Sequence, residues 1–298
     1  MIGPVAIVFS IPSPDMYPFT ENLTRDSYQL LAKLAKEKNI DLRFVLGEKN
    51  IVEDTFTSYW KFDGDKIVNI REEFKAACVY LQTREFDVLP MRRVNSPYLE
   101  EICLDKYKTF QVFKKFTKRT LLVTDSTSVD SLTTDLVVVK PQFGSLGYKI
   151  HIIKKDDFDP KNFLDEKYIV QELIDSSSGI DGLISQRHEL RTYIFNGELK
   201  ATYLRLPAKN SYIANIAKGA IEQQIDSSQI PSSLQGVIEY VDNYFKSIQP
   251  RLYTIDIMFE NNKPWIVELN DMPGMPDISV QPLTNTYFHA MLDLFKES

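Results

Sequence analysis

Three oxygen-bearing side chains stand where a sheet would ordinarily bury apolar ones: Asp256 in YTIDIMF, then Glu268 and Asn270 in WIVELN. Glu268 and Asn270 are two residues apart, so a strand points both to one face. If a three-residue loop, Asn261 to Lys263, joins the two strands, Asp256 lies directly opposite Glu268. Facing carboxylates repel without a cation between them. Hard oxygen ligands of this kind suit Mg²⁺ shared between protein and nucleotide phosphates. The competing reading is a solvated polar sheet face.

A second constellation is VVVKPQFGSLG, residues 137 to 147. An apolar strand delivers Lys140 to a loop carrying Gly144, Ser145 and Gly147. Glycines let backbone N–H groups approach phosphate oxygens, and a lysine ammonium supplies a point charge. The lysine precedes the glycines, so this is not the P-loop order, and alone it reads equally as a hairpin loop. A third candidate is Arg92 with Arg93. They follow the apolar run Phe86 to Leu89, where an open sheet gathers ligands at its strand ends, and a guanidinium there could hold a substrate carboxylate.

The elements that must position these groups begin with strand, helix, strand: Val5 to Ser10, Thr20 to Lys38 and Leu42 to Leu46, a parallel α/β opening. From Leu104 the pattern changes. LDKYKTFQVFKKF reads as one helix, and strand-like runs follow at Leu136 to Pro141, Tyr148 to Lys154 and Tyr168 to Ile174. Arg191 to Phe195 and Glu198 to Leu204 flank Asn196-Gly197, the dipeptide suited to a type I′ turn. A last helix is expected from about Pro282 to Phe295. The division this predicts is an N-terminal α/β domain over 1–104 and a second domain over 105–298.

Composition sets the outer bounds. With 298 residues, 43% hydrophobic and 26% charged, the chain is globular in class. A net charge of −6 argues against a broad nucleic-acid footprint, which needs clustered Lys and Arg. No run approaches the roughly 18 apolar residues of a membrane span, and no targeting segment is visible, so neither nucleic acid nor membrane is an expected partner. Two cysteines in a chain this size point to a reducing, cytoplasmic home. The three histidines have no zinc-type spacing. A homodimer is the default assembly.

In order along the chain, LDKYKT, VVVKPQFGSLG, VQELI, ELRTYIFNGEL, YIANIAKGA, TIDIMF and VELN resemble the ATP-grasp superfamily over residues 105 to 276. The resemblance implies an α+β, two-lobed ATP-grasp domain after the N-terminal one, with a lid of about 105–172 and a clamped MgATP. It implies two Mg²⁺ ions, with Mn²⁺ as a substitute. Lys106 and Lys140 would reach phosphates, Gln171, Glu172 and Leu173 would form the adenine hinge, and Glu189 would meet the ribose. Arg191 and Arg205 align with arginines that steady the transferring phosphoryl group, and Asn215 joins them. An ideal Asn-Gly hairpin, however, sets Arg191 and Arg205 on opposite faces unless a bulge intervenes.

The start of the chain, the MRR at 91–93 and NIAKGA are similar to bacterial glutathione synthetases; VELNDMPGMP is more like the ribosomal-protein glutamate ligases. The acidic-proline continuation of the former and the arginine before the asparagine of the latter are missing, so neither substrate is carried over. The activity implied is ATP-dependent ligation of a carboxylate to an amine through an acyl-phosphate. Kinase-like phosphoryl transfer and a nucleotide-binding regulatory module are the alternatives.

Overall fold

The computed structural model describes residues 3–87, 91–144, 147–209, 211–214, 219–275 and 283–297. Its first unit is a six-stranded sheet in the order β6-β5-β2-β1-β7-β8. The strands are β1 (Val5–Phe9), β2 (Leu42–Leu46), β5 (Tyr59–Asp63), β6 (Lys66–Ile70), β7 (Cys78–Leu81) and β8 (Arg93–Val94), with a small ribbon of β3 (Ile51–Val52) and β4 (Thr55–Phe56) beside them. β1, at the centre, pairs in parallel with β2 and β7, and all five of its residues are buried. Helix α1 (Asn22–Glu37) makes the crossover because Tyr28, Leu31, Leu34 and Ala35 fall on one face and bury there.

The expected strand over Phe86 to Leu89 is not found where the chain is described: Phe86 and Asp87 are outside any strand, and residues 88 and 89 lie beyond the described residues. The run CVYL forms the sheet strand instead, and Arg93 is itself in an edge strand.

The helix expected from Leu104 is the shorter α3 (Lys106–Val112), and a separate helix, α2 (Pro97–Leu104), precedes it. Asp105 separates them. Its carboxylate accepts from the Tyr107 and Lys108 amides at 2.9 and 3.2 Å, so it caps the second helix at the point where the first ends. Beyond lies a four-stranded antiparallel sheet, β11-β10-β12-β9, made of β9 (Thr120–Leu122), β10 (Leu136–Pro141), β11 (His151–Lys154) and β12 (Tyr168–Glu172). β11 starts three residues later than expected because Gly147 and Lys149 take φ of 66° and 50°, which extended chain cannot include.

The third sheet, β15-β14-β13-β16-β17, is antiparallel and comprises β13 (Glu189–Phe195), β14 (Glu198–Leu206), β15 (Ile221–Gln224), β16 (Leu252–Glu260) and β17 (Lys263–Asn270). Its two faces do different work. Leu190, Ile194, Leu204 and Ile255 bury against helix α4 (Ser232–Phe245), while Tyr193, Phe195 and Tyr203 pack with helix α5 (Leu283–Glu297) and the first sheet. That second face is the one whose far end carries the polar residues. No described helix is long and apolar enough to cross a membrane.

The β13–β14 turn is Asn196-Gly197 with φ of 46° and 93°, as the dipeptide predicts. A Cβ at Gly197 would stand 2.5 Å from an Asp242 carboxylate oxygen and 2.9 Å from Arg251 Nη2, which are paired with each other. Gly197→Ala is therefore expected to destabilise by about 1–3 kcal/mol, from left-handed strain and a disturbed ion pair, read as a lower denaturation midpoint with unchanged slope.

Candidate active site

The polar end of the third sheet is assembled by register. Asp256 pairs with Glu268 and Thr254 with Asn270, so the three oxygen-bearing side chains do share a face. The route differs from the expected one. The connecting turn has two residues, Asn261 and Asn262, at φ 51° and 61°, joining Glu260 to Lys263. That alone would misalign Asp256 by one residue, and a bulge between Asp256 and Ile257 restores the alignment.

A second bulge, between Tyr193 and Ile194, resolves the arginine question. Past it Glu189 pairs with Arg205 and Arg191 with Tyr203, which brings Arg191 and Arg205 to one face. Arg191 is also the partner of Asp256 across β13–β16. Its Nε donates to Asp256 Oδ1 at 2.7 Å and its Nη2 to Oδ2 at 2.5 Å, a bidentate pair that fixes orientation. Arg205 donates to Glu222 at 2.6 Å and to Glu189 at 3.3 Å, and its guanidinium stands 3.7 Å from Asp256. Glu222, on β15, was not singled out in the sequence. Its pairing is non-local, and no spacing signal marks it.

Burial sets the electrostatics. It raises the Glu189 carboxyl to about 8, with Asp256 adding to the shift and the two arginines opposing it. Burial disfavours the Arg191 charge too, but Asp256 more than offsets this and holds the guanidinium protonated. Glu268 is half-buried and accepts no hydrogen bond among the described residues; Lys140 and Lys106 act on it through charge alone.

Lys140 lies 5% exposed on β10, donates weakly to the Val267 carbonyl at 3.4 Å, and is lowered to about 8 by burial, with Glu268 opposing. Lys106, at the start of α3, is lowered as well, again by burial against Glu268 and Asp105. It donates to the Gly144 carbonyl and so ties α3 to the glycine loop. Gly144 has φ 104° with nothing within 4 Å of an added Cβ, so its backbone faces open space.

These groups meet in one cleft between the four-stranded and five-stranded sheets, which Lys140, Gly147, Glu189, Arg191, Asp256 and Glu268 all line. Gln171, Glu172 and Leu173 line it too, but the first two commit their side chains elsewhere. Gln171 donates to Thr120 Oγ1 at 2.8 Å, and Glu172 accepts from the Thr133 amide and hydroxyl at 2.7 and 2.8 Å. Ile150, Ile152 and Met258 add an apolar wall, for which the two-residue spacing of Ile150 and Ile152 is the signal in the sequence. A further cleft joins Lys106, Lys140, Gly144, Gly147 and Glu268.

Asn270 lies at the strand end with its Oδ1 accepting from the Met272 amide at 3.0 Å. Ser145 and Asn215 fall outside the described residues. Arg92 and Arg93 are not brought to this cleft as a pair. Arg92 is exposed and reaches the Glu297 carbonyl at 3.4 Å, whereas Arg93 is buried with its guanidinium engaged by Asp87 and Glu100.

A model of the RimK-like ATP-grasp domain matches residues 104–289. The chain belongs to the RimK-like ATP-grasp family. No curated protein gives a significant match. Among solved structures, D-alanine–D-alanine ligase from Bacillus anthracis complexed with ATP superposes with a TM-score of 0.61 at 14% identity, covering 99% of this chain and 96% of that one. A RimK-domain ATP-grasp protein from Sphaerobacter thermophilus gives 0.60 at 10%, with 98% and 99% covered. The ATP-grasp ligase PsnB, complexed with the precursor peptide PsnA2 and AMPPNP, gives 0.60 at 13%, with 98% of each chain covered. At such identities the likeness speaks for the fold, and the fold is that of ATP-grasp ligases.

Proposed function

We propose that this family member is an ATP-dependent carboxylate–amine ligase that works through an acyl-phosphate and releases ADP and phosphate. The observation that carries the reading is the convergence of Lys140, Arg191 and Arg205 with Asp256 and Glu268 in a single cleft between two sheets. Fixed cations beside acidic oxygens are what transfer of a phosphoryl group requires, because charge develops on its oxygens and must be met without reorganisation.

MgATP fits this cleft chemically. The apolar wall of Ile150, Ile152, Leu173 and Met258 suits a base, with Gln171 and Glu172 holding the strand that carries the hinge in place. Glu189, on the wall of the same cleft, would meet the sugar, and Lys106, Lys140 and the glycine loop suit phosphates. Asp256, Glu268 and Asn270 offer three hard oxygen donors on one sheet face, and Glu268 among them is uncapped by any described donor, as a cation ligand would be. Among the described residues no three His, Cys, Asp or Glu side chains group as a metal site, so an amide oxygen and phosphates would complete the shell. Magnesium bound there would neutralise charge on phosphate oxygens.

The remaining work falls to the chain itself. Arg191 and Arg205 steady the transferring phosphoryl group, while the lobe carrying Lys140 excludes water from the acyl-phosphate. The substrate carboxylate oxygen takes the γ-phosphoryl group, and an amine nitrogen then displaces phosphate at the carbonyl carbon to leave an amide. No protein nucleophile is used.

The test is a phosphate-release screen of amino acids and short peptides with MgATP, followed by mass measurement of the product. ADP formation that needs both a carboxylate and an amine, with a product lighter than their sum by one water, is the expected result. ADP formation that needs no amine and leaves a phosphorylated product would replace the reading with simple phosphoryl transfer.

A further inference from the structure

Beyond the end of β17 a second cavity, of about 450 Å³, opens between the first sheet and helix α2. Arg84 and Asp87 from the segment after β7, Arg93, Glu100, Asp271 and Met272 line it. It adjoins the proposed catalytic face, since Asp271 directly follows Asn270 and the Met272 amide donates to the Asn270 side chain. The space far exceeds the roughly 30 Å³ share of one water and would admit a ligand of amino-acid size.

Its charges are unbalanced. Arg93, 9% exposed, donates to Asp87 and, at 3.0 Å, to Glu100; its Nε, also buried, finds no acceptor. Arg84 donates to Asp271 at 2.6 Å, and Asp271 is only 4% exposed. Each guanidinium thus already faces a carboxylate, and the three carboxylates outnumber the two arginines. Glu101, on the rim, is balanced by its ion pair with Lys108 and leaves that excess unchanged. Burial raises the Glu100 carboxyl to about 7, with Asp271 and Asp87 adding to the shift and Arg93 and Arg84 opposing it. A buried carboxylate that shares its arginine with a second acid gains from an incoming cation, whereas an anion entering here would meet arginines already turned toward carboxylates.

We propose that this cavity binds the amine substrate as its ammonium ion, with Glu100 and Asp271 facing the charge, an assignment that rests on the ligase reading above. Arg93 then serves as a positioning residue, holding Glu100 and Asp87 at the cavity wall, and the substrate carboxylate is met elsewhere.

The test is an NMR titration of the full chain with butylammonium chloride and, separately, with sodium butyrate. Butylammonium should shift the backbone amides of residues 83–87, 97–104 and 271–272, and butyrate should not. Glu100→Gln should weaken butylammonium binding by about tenfold, as loss of one charge partner predicts, and Asp87→Asn should weaken it less. Nucleotide affinity should match the parent in both variants. Asp87 lies on an exposed segment, so its variant carries the comparison if Glu100→Gln fails to fold. Equal shifts from butyrate, no shifts from butylammonium, or parent affinity in the variants would overturn the assignment. A parent chain that forms no amide from any acid and amine would instead remove the ligase reading, while the titration would still show whether the cavity prefers a cation.

Discussion

Glu268→Gln should lower ligation turnover by about a hundredfold or more while moving the melting temperature by only a few degrees, because the side chain is offered to a cation and holds little of the fold together. The substitution keeps one side-chain oxygen and replaces the other by an amide nitrogen, so the negative charge and one ligand oxygen are lost together. Glu268 is half-buried, opposite Asp256, and accepts no hydrogen bond from any described residue. Asp256, by contrast, is 2% exposed and bound by Arg191 through two hydrogen bonds, so Asp256→Asn would remove a buried ion pair as well as a ligand. Glu268 is therefore the cleaner probe. Raising the Mg²⁺ concentration should recover part of the activity of Glu268→Gln, and a magnesium titration of the rate would read it. Parent turnover in this variant, or a loss fully explained by unfolding, would remove Glu268 from the metal-binding role.

The face shared by Asp256, Glu268 and Asn270 was legible because strand periodicity is two and facing acids are unusual in a sheet. The loop length was not legible. Asn261-Asn262 makes a two-residue turn, and the bulge at Asp256/Ile257 compensates for the missing residue; a bulge leaves no trace in hydrophobic alternation. The same holds for Arg191 and Arg205, whose common face depends on the bulge at Tyr193/Ile194. Helix α4 has a legible signal: Leu234, Val237, Ile238, Val241 and Phe245 recur at helical spacing and bury together, despite an interior Gly236. In the first sheet, CVYL and FDVL are both short, mostly apolar runs, and CVYL is the one seen to pair with β1. Glu222 and the acid-lined cavity beside α2 depend on contacts between segments far apart in the chain, which local pattern does not encode.

The largest pH effect should come from Lys140. Buried on β10, its ammonium is lowered to about 8 by loss of hydration, and Glu268 only partly restores it. Nucleotide phosphates arriving beside it favour the charged form, so its proton is held more tightly in the complex than in the free protein. The sign follows. Below pH 8 the free protein already carries the charge, and nucleotide affinity does not vary with this group. Above pH 8 a proton must be taken up on binding, so affinity falls, by up to about tenfold per pH unit until the value in the complex is reached. The fold responds in the opposite sense: an unfolded lysine keeps its proton to about pH 10.4, so between that value and 8 the group contributes stability that increases as pH rises. Lys140→Met should weaken nucleotide binding at pH 7 by about tenfold to a hundredfold and remove the part of the decline above pH 8 that this lysine causes, leaving only what Glu189, also raised to about 8, contributes. Lys140→Arg should keep the charge to high pH and also flatten the profile, but with weaker binding than the parent at pH 7 because a planar guanidinium does not fit a buried point-charge site. Fluorescent-nucleotide titrations of the three proteins from pH 6.5 to 9.5 would measure this, and a decline in Lys140→Met parallel to that of the parent would assign the titration to another group.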